Sequence, residues 1–296
     1  MRSSSSSYLA PQFSPVGHFQ CGRFTLALSR PLIMGVVNVT PDSFSDGGRF
    51  LETAQAIAHG SELAREGADI LDIGGESTRP GALPVSAMQE LDRVVPVLEG
   101  LRGLDRPLSV DTHKPAVMRA ALDAGASMIN DVNALQSEGA LDVVRLSDCG
   151  VCLMHKQGDP QTMQQDPHYD DVVAEVRDFL AQRVAACEAA GVSRNRIAID
   201  PGFGFGKRSA HNLELLRKLR LLTGLGVPVL AGLSRKSTLG RITNQPVEQR
   251  TVASVTAAVL AVQRGAAIVR VHDVAQTRDA LRILGAVEER GFTFDD

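Results

Sequence analysis

An eightfold alternation of short apolar runs with segments of helical spacing predicts a single-domain α/β protein, a (β/α)8 TIM barrel. Three observations carry this: the alternation itself, a repeated helix-stop-to-strand outline, and a polar residue at the end of each apolar run. The chain has 296 residues, 44% of them hydrophobic and 22% charged, which suits one large core.

The candidate strands begin near Leu32, Asp69, Pro107, Ser127, Val151, Arg196, Val227 and Ala267. Between them, Lys114 to Ala124 reads as a helix with Val117, Ala120, Ala121 and Ala124 on one face and Gly125 as its stop. Asp171 to Ala190 reads likewise, with Val172, Val173, Val176, Phe179, Leu180 and Val184 as its stripe and Gly191 beyond it. The segments Gly67–Asp72, Gly125–Asn130 and Gly265–Arg270 share one outline, a helix stop feeding a strand. An open doubly wound sheet would keep the same local pattern, but eight such units favour closure.

The runs end at Asn38, Asp72, Asp111, Asn130, His155, Asp200, near Ser234, and at Arg270 and His272. One such residue can simply cap a helix. Eight on one rim point to a site at the C-terminal ends of the strands.

Composition narrows the partner. The formal net charge is -3 with no long basic face, so nucleic acid and anionic membranes are not expected partners. Met1 to Gln20 has a serine run without an apolar signal core, and no later stretch is apolar for long enough to span a bilayer. A cytoplasmic protein is expected, with residues 1–21 as a disordered tail and 22–296 as the barrel. Cys149 and Cys152 have C-x-x-C spacing, which would suit redox chemistry or half a zinc site. Cys152 lies in an apolar run, and Cys21 and Cys187 do not form a second pair, which favours structural cysteines.

The rim residues fall into clusters. Asp111 and Asp200 follow apolar runs, so each needs donors: a lysine or arginine, or a ligand with paired N–H groups such as an aminopyrimidine. Asn130, both donor and acceptor, suits the same heterocycle. Arg270, His272, Arg235 and Lys236 converge from the last two strands, where barrels often hold phosphate, although Arg235 taken singly also reads as an ordinary surface ion pair. Residues 231–237 also precede a helix start, whose N–H groups suit an anion. Residues 38–49 and 74–84 are long polar loops able to close over a substrate, with Asp46 and Arg79 suited to a charged one. His155 reads as satisfying neighbouring backbone. The run Asp200–Lys207, DPGFGFGK, has the wrong spacing for a dinucleotide fingerprint; its two phenylalanines offer a stacking surface, and core packing explains one of them equally well.

Taken together and in order, NVTPDSFSDGG, DIGGESTRPG, SVDTHK, INDV, LMH, DPGFGFGK, GLSRKS and RVHDV resemble the dihydropteroate synthase family, from about residue 22 to residue 296. The resemblance implies an enzyme joining dihydropterin diphosphate to p-aminobenzoate with release of pyrophosphate, in folate synthesis. It implies pterin contacts at Asp111, Asn130, Asp200 and Lys236 with Met154 nearby, and diphosphate with its Mg²⁺ at Asn38, Arg270 and His272. For p-aminobenzoate it implies Phe44, Thr78, Arg79, Pro80, Phe205, Ser234 and Ser237, with Asp46 and Arg79 ordering a closed state. A homodimer and competition by sulfonamides are also implied. Lys156 and His113 depart from the usual pattern but fall on none of these contacts. Two other readings stand beside it: a barrel transferring a methyl group from methyltetrahydrofolate to a corrinoid, and a pterin-binding paralogue without turnover.

Overall fold

The computed structural model describes residues 17–39, 49–77, 81–159 and 162–288. An antiparallel hairpin comes first, β1 (His18–Cys21) and β2 (Phe24–Ala27). Eight parallel strands then close into a barrel: β3 (Leu32–Asn38), β4 (Ile70–Gly74), β5 (Leu108–Asp111), β6 (Met128–Asp131), β7 (Gly150–Met154), β8 (Ile197–Asp200), β9 (Val229–Ala231) and β10 (Ala266–Val271), with β10 pairing to β3. Every strand start lies within two residues of its expected place. These runs are legible because strands buried on both faces are apolar almost throughout.

The surrounding helices are α1 (Arg49–Glu66), α2 (Ala87–Leu101), α3 (Pro115–Asp123), α4 (Ala140–Arg145), α5 (Val172–Ala189), α6 (Ser209–Arg217), α7 (Arg220–Thr223), α8 (Ser237–Thr243), α9 (Thr251–Gln263) and α10 (Val274–Val287). Their ends have local causes. Pro115 opens α3 without sacrificing a hydrogen bond, and Gly125, at φ 110°, ends it while the Ala126 N–H donates to Ala121 O at 2.9 Å. Asp171 caps α5 by accepting from the N–H groups of Val173 and Ala174 at 2.9 and 3.0 Å. Among the described residues no helix is long and apolar enough to cross a membrane.

The hairpin corrects one expectation. The tail was expected to run through residue 21, yet β1 lies against the N-terminal end of the barrel with Phe19 and Cys21 fully buried. A Cβ on Gly150, the first residue of β7, would meet Cys21 Sγ at 2.8 Å and Phe19 Cζ at 3.1 Å, so this seat requires glycine. Residues 1–16 lie outside the described residues. Phe19→Ala is expected to cost roughly 3–5 kcal/mol by emptying that seat; urea unfolding checks it, and a loss of about half a kcal/mol or less would show that the hairpin does not belong to the core.

Candidate active site

Strand register assembles the mouth. Asn38 pairs with Gly74, Gly74 with Asp111, and Asp111 with Asn130, so the four form one row across β3 to β6. Gly74 leaves the row open: a Cβ there would lie 3.8 Å from Asn38 Oδ1 and 3.7 Å from Asp111 Cβ. Across the mouth, β10 supplies Arg270 and leads into His272, and the β9–α8 segment carries Ser234, Lys236 and Ser237.

Arg270 joins the two sides. Its Nε donates to Asp72 Oδ2 at 2.6 Å, one terminal nitrogen donates to Asp111 Oδ2 at 3.0 Å, and Asn130 Nδ2 donates to the same Asp72 oxygen at 3.0 Å. Burial works against the guanidinium's charge, but Asp72 and Asp111 outweigh it and push its pKa up. Asp111 is itself held above the ordinary carboxylate range, because burial and the nearby Asp72, Glu90 and Asp131 outweigh Arg270. Of the two partners expected for Asp111, the structure supplies arginine. Asp72 is not the strand end expected of it: β4 continues to Gly74, and Asp72 sits mid-strand, fully buried, with Oδ1 unpartnered.

A second cluster lies beside it. Asp200 Oδ1 accepts from the Gly202 N–H at 2.7 Å, and burial raises this carboxyl while Lys236 opposes the rise. Burial lowers Lys236 to about 8, although Asp200 acts in its favour. The Lys236 ammonium donates to Phe203 O and lies 4.7 Å from the Phe205 ring centre. Gly232 keeps this corner open: a Cβ there would lie 3.8 Å from both Asp200 Oδ2 and Arg270 Cβ. Met154 ends β7 in register with Asp200. Ser234 Oγ and His272 Nδ1 share a hydrogen bond of 2.9 Å, and Ser237 stands exposed at the start of α8. Phe203 is buried in the core, leaving Phe205 as the partly exposed ring of the pair.

One expectation is corrected here and one is extended. Arg235 does not join the other basic groups: its backbone turns at φ 58° and its guanidinium pairs with Asp273 at 2.7 Å. The His155 ring keeps the backbone hydrogen bond expected of it and meets a further group: its Nδ1 lies 2.9 Å from the buried Lys207 amino group, and burial lowers the imidazole to about 3. Cys149 and Cys152 are unpaired and buried, with burial raising both thiols.

The pterin-binding enzyme family matches residues 34–272. Dihydropteroate synthase of Neisseria meningitidis serogroup B is 52% identical over 276 residues, 91% of this chain and 97% of that one. The chain belongs to the dihydropteroate synthase family. The Xanthomonas albilineans dihydropteroate synthase solved with 4-aminobenzoic acid matches with a TM-score of 0.87 and 56% identity, over 92% of this chain and 98% of that one. The Burkholderia cenocepacia enzyme complexed with 7,8-dihydropteroate matches with a TM-score of 0.84 and 52% identity, over 92% and 97%.

Of the positions implied by the dihydropteroate synthase resemblance, Asn38, Asp111, Asn130, Met154, Asp200, Phe205, Ser234, Lys236, Ser237, Arg270 and His272 come together at the mouth. Phe44, Asp46, Thr78, Arg79 and Pro80 lie outside the described residues. Sequence reasoning named Asp72 as a strand end without giving it a partner, and missed Lys207. The buried position of Asp72 was signalled by a lone charge inside the apolar run ILDIG, and Lys207 could have been found as the final residue of the glycine-rich run. Because Asp72 is fully buried whereas the Asp111 side chain is 18% exposed, Asp72→Asn is expected to cost roughly 3–5 kcal/mol of stability and Asp111→Asn less than half of that. Urea unfolding of both variants checks the order; equal losses would mean that the two carboxylates hold Arg270 alike.

Proposed function

We propose that the chain joins 6-hydroxymethyl-7,8-dihydropterin diphosphate to p-aminobenzoate, giving 7,8-dihydropteroate and pyrophosphate, with the mouth residues divided by task. The observation that carries this division is Arg270, held between the Asp72 and Asp111 carboxylates with Asn130 alongside. Asp111 and Asp200 accept the paired N–H groups of the aminopyrimidine ring, Asn130 supplies both a donor and an acceptor, and Lys236 donates, with Met154 packed against the ring. To admit the pterin, Arg270 releases Asp111 while its Nε stays on Asp72. Its freed arm and His272 then face the diphosphate.

Asn38 Oδ1 is a neutral oxygen donor beside the gap at Gly74, and a single protein oxygen suits a hard cation that otherwise keeps water and phosphate ligands. When bound there, Mg²⁺ supplies neutralisation of the charge that gathers on the departing pyrophosphate. The substitution is dissociative. The bond from the pterin methylene to the bridging oxygen breaks, and its electron pair leaves with pyrophosphate. Asp111 and Asp200 favour the resulting cationic pterin fragment. The neutral aromatic amine then bonds to the methylene and loses a proton to solvent, so no strong base is needed and positioning matters most. Phe205, Ser234 and Ser237 form the described side of the p-aminobenzoate pocket. Phe44, Thr78, Pro80, and Asp46 with Arg79 ordering the closed state, complete the proposal.

The same reading includes a homodimer in the cytoplasm and competition by sulfonamides for the p-aminobenzoate pocket. The four unpaired cysteines support a reducing compartment, and exposed Val252, Ile283 and Val287 on α9 and α10 support a second copy. A corrinoid methyltransferase would have less use for Arg270 and His272 at a diphosphate, and a binding-only paralogue would not turn over. Pyrophosphate release separates the three: it is expected only with p-aminobenzoate present, and its absence from a folded, pterin-bound protein would overturn the reading.

The pH profile follows from the same groups. Asp111, raised by burial, must ionise to accept N–H groups, so kcat/KM for the pterin substrate rises as pH climbs above the ordinary carboxylate range. Lys236, lowered to about 8 by burial, loses its charge above that pH, so kcat/KM falls again. Lys236→Arg is expected to remove the alkaline limb, since a guanidinium keeps its proton; a limb unmoved in that variant would assign it elsewhere.

A further inference from the structure

Among the described residues, one buried cation remains without a task. Lys207 is 2% exposed, and its ammonium has three N–H groups and three close acceptors: His155 Nδ1 at 2.9 Å, Gly202 O at 3.0 Å and Phe205 O at 3.0 Å. Burial lowers Lys207 to about 7; when it is protonated, the ring nitrogen facing it accepts and the imidazole carries its hydrogen on Nε2. Two of the acceptors are carbonyls of the loop that presents Phe205.

Glycine fixes the path of that loop at its ends, which leaves Phe205 to be set by hydrogen bonds. Gly202, Gly204 and Gly206 have φ of 67°, 82° and 63°, and a Cβ on Gly202 or Gly206 would overlap His155 O or Gln157 O, at 1.8 and 2.2 Å. Tyr169 Oη donates to Gly206 O at 2.9 Å, and Asn212 Oδ1 accepts from the Gly204 N–H at 2.8 Å. On its outer side the loop offers Phe203 O to Lys236 and sets the Phe205 ring 4.7 Å from the same ammonium.

We infer that Lys207 is a positioning residue for the second substrate: its ammonium, held against His155, gathers the Gly202 and Phe205 carbonyls and so fixes the Phe205 ring beside Lys236. The inference rests on the assignment of Phe205 to the p-aminobenzoate pocket. Lys207 itself touches neither substrate. Removing its donors leaves Phe205 O without that partner and leaves Gly202 O with only the Phe205 N–H at 3.1 Å, so the loop shifts at Phe205 and moves the ring.

The test is steady-state kinetics of the full chain with both substrates varied. Lys207→Met, similar in length but without donors, is expected to raise KM for p-aminobenzoate roughly tenfold while kcat and the KM for the pterin diphosphate stay within about threefold. Unchanged values, or equal loss in all three, would overturn the inference and leave Lys207 as a space-filling or purely structural group. If that variant does not fold, His155→Leu and His155→Gln decide. The leucine variant lacks the acceptor and is expected to show the same selective rise in KM; the glutamine variant offers an amide oxygen to the ammonium and is expected to restore it. A glutamine variant as impaired as the leucine variant overturns the inference. Phe205→Ala separates the two levels: if it leaves the p-aminobenzoate KM unchanged, the pocket assignment fails, whereas a raised KM there with a normal Lys207→Met rejects the role of Lys207 alone.

Discussion

The buried bridge from Asp72 through Arg270 to Asp111 sets the terms for the rest of the mouth. Removing a guanidinium from water is costly, and what returns the cost is two carboxylates at 2.6 and 3.0 Å. Asp72 also takes the Asn130 amide, so one fully buried oxygen orients two residues of the candidate site. Adding Asp200 and Lys236, the mouth holds three carboxylates, Asp72, Asp111 and Asp200, against two cations, Arg270 and Lys236. With all five ionised the surplus is one negative charge, the sign that suits a cationic ligand, and burial opposes that state by raising Asp111 and Asp200.

Closure of the barrel makes that bridge possible. Arg270 and Asp72 are 198 residues apart in the chain, and only the pairing of β10 with β3, and of β3 with β4, brings them to one rim. The row Asn38, Gly74, Asp111, Asn130 shows how parallel register converts separate strand ends into a surface. Within it, the missing side chain matters as much as those present. Gly74 between Asn38 and Asp111, and Gly232 between Asp200 and Arg270, leave open the spaces that any larger residue would enter.

Much of this was legible because burial has a strong compositional signature. Strands covered on both faces must be apolar, so all eight stood out, and the stops at Gly125 and Gly191 bounded α3 and α5. The misses have physical causes. In a short apolar run the residue type shows that Asp72 is unusual but not how far β4 continues past it. A lysine after a glycine-rich run reads as solvated, and the fold that buries Lys207 brings together residues from the segments that follow β7 and β8. Arg235 was misplaced because its direction depends on a positive φ at a residue that is not glycine, for which the sequence carries no sign. The β1–β2 hairpin did have one: Phe19 and Cys21 alternate with polar neighbours, and Gly22 follows at φ 54°.

The run GFGFGK also shows why glycine spacing alone does not name a ligand. In loops that cradle phosphate, closely spaced glycines turn backbone N–H groups toward an anion. Here the same freedom turns carbonyls toward cations: Gly202 O and Phe205 O meet Lys207, and Phe203 O, between them in sequence, meets Lys236. Successive carbonyls can be sent to two ammonium groups only if the chain reverses its sense between them, which the positive φ angles at Gly202, Gly204 and Gly206 accomplish. Both lysines are held below the ordinary lysine range by burial, with Asp200 opposing the fall in each case. They differ in what lies beyond the loop. Lys207 is enclosed by His155 and backbone, whereas Lys236 is partly open beside the Phe205 ring. One loop thus separates a cation that shapes the site from a cation that is presented within it.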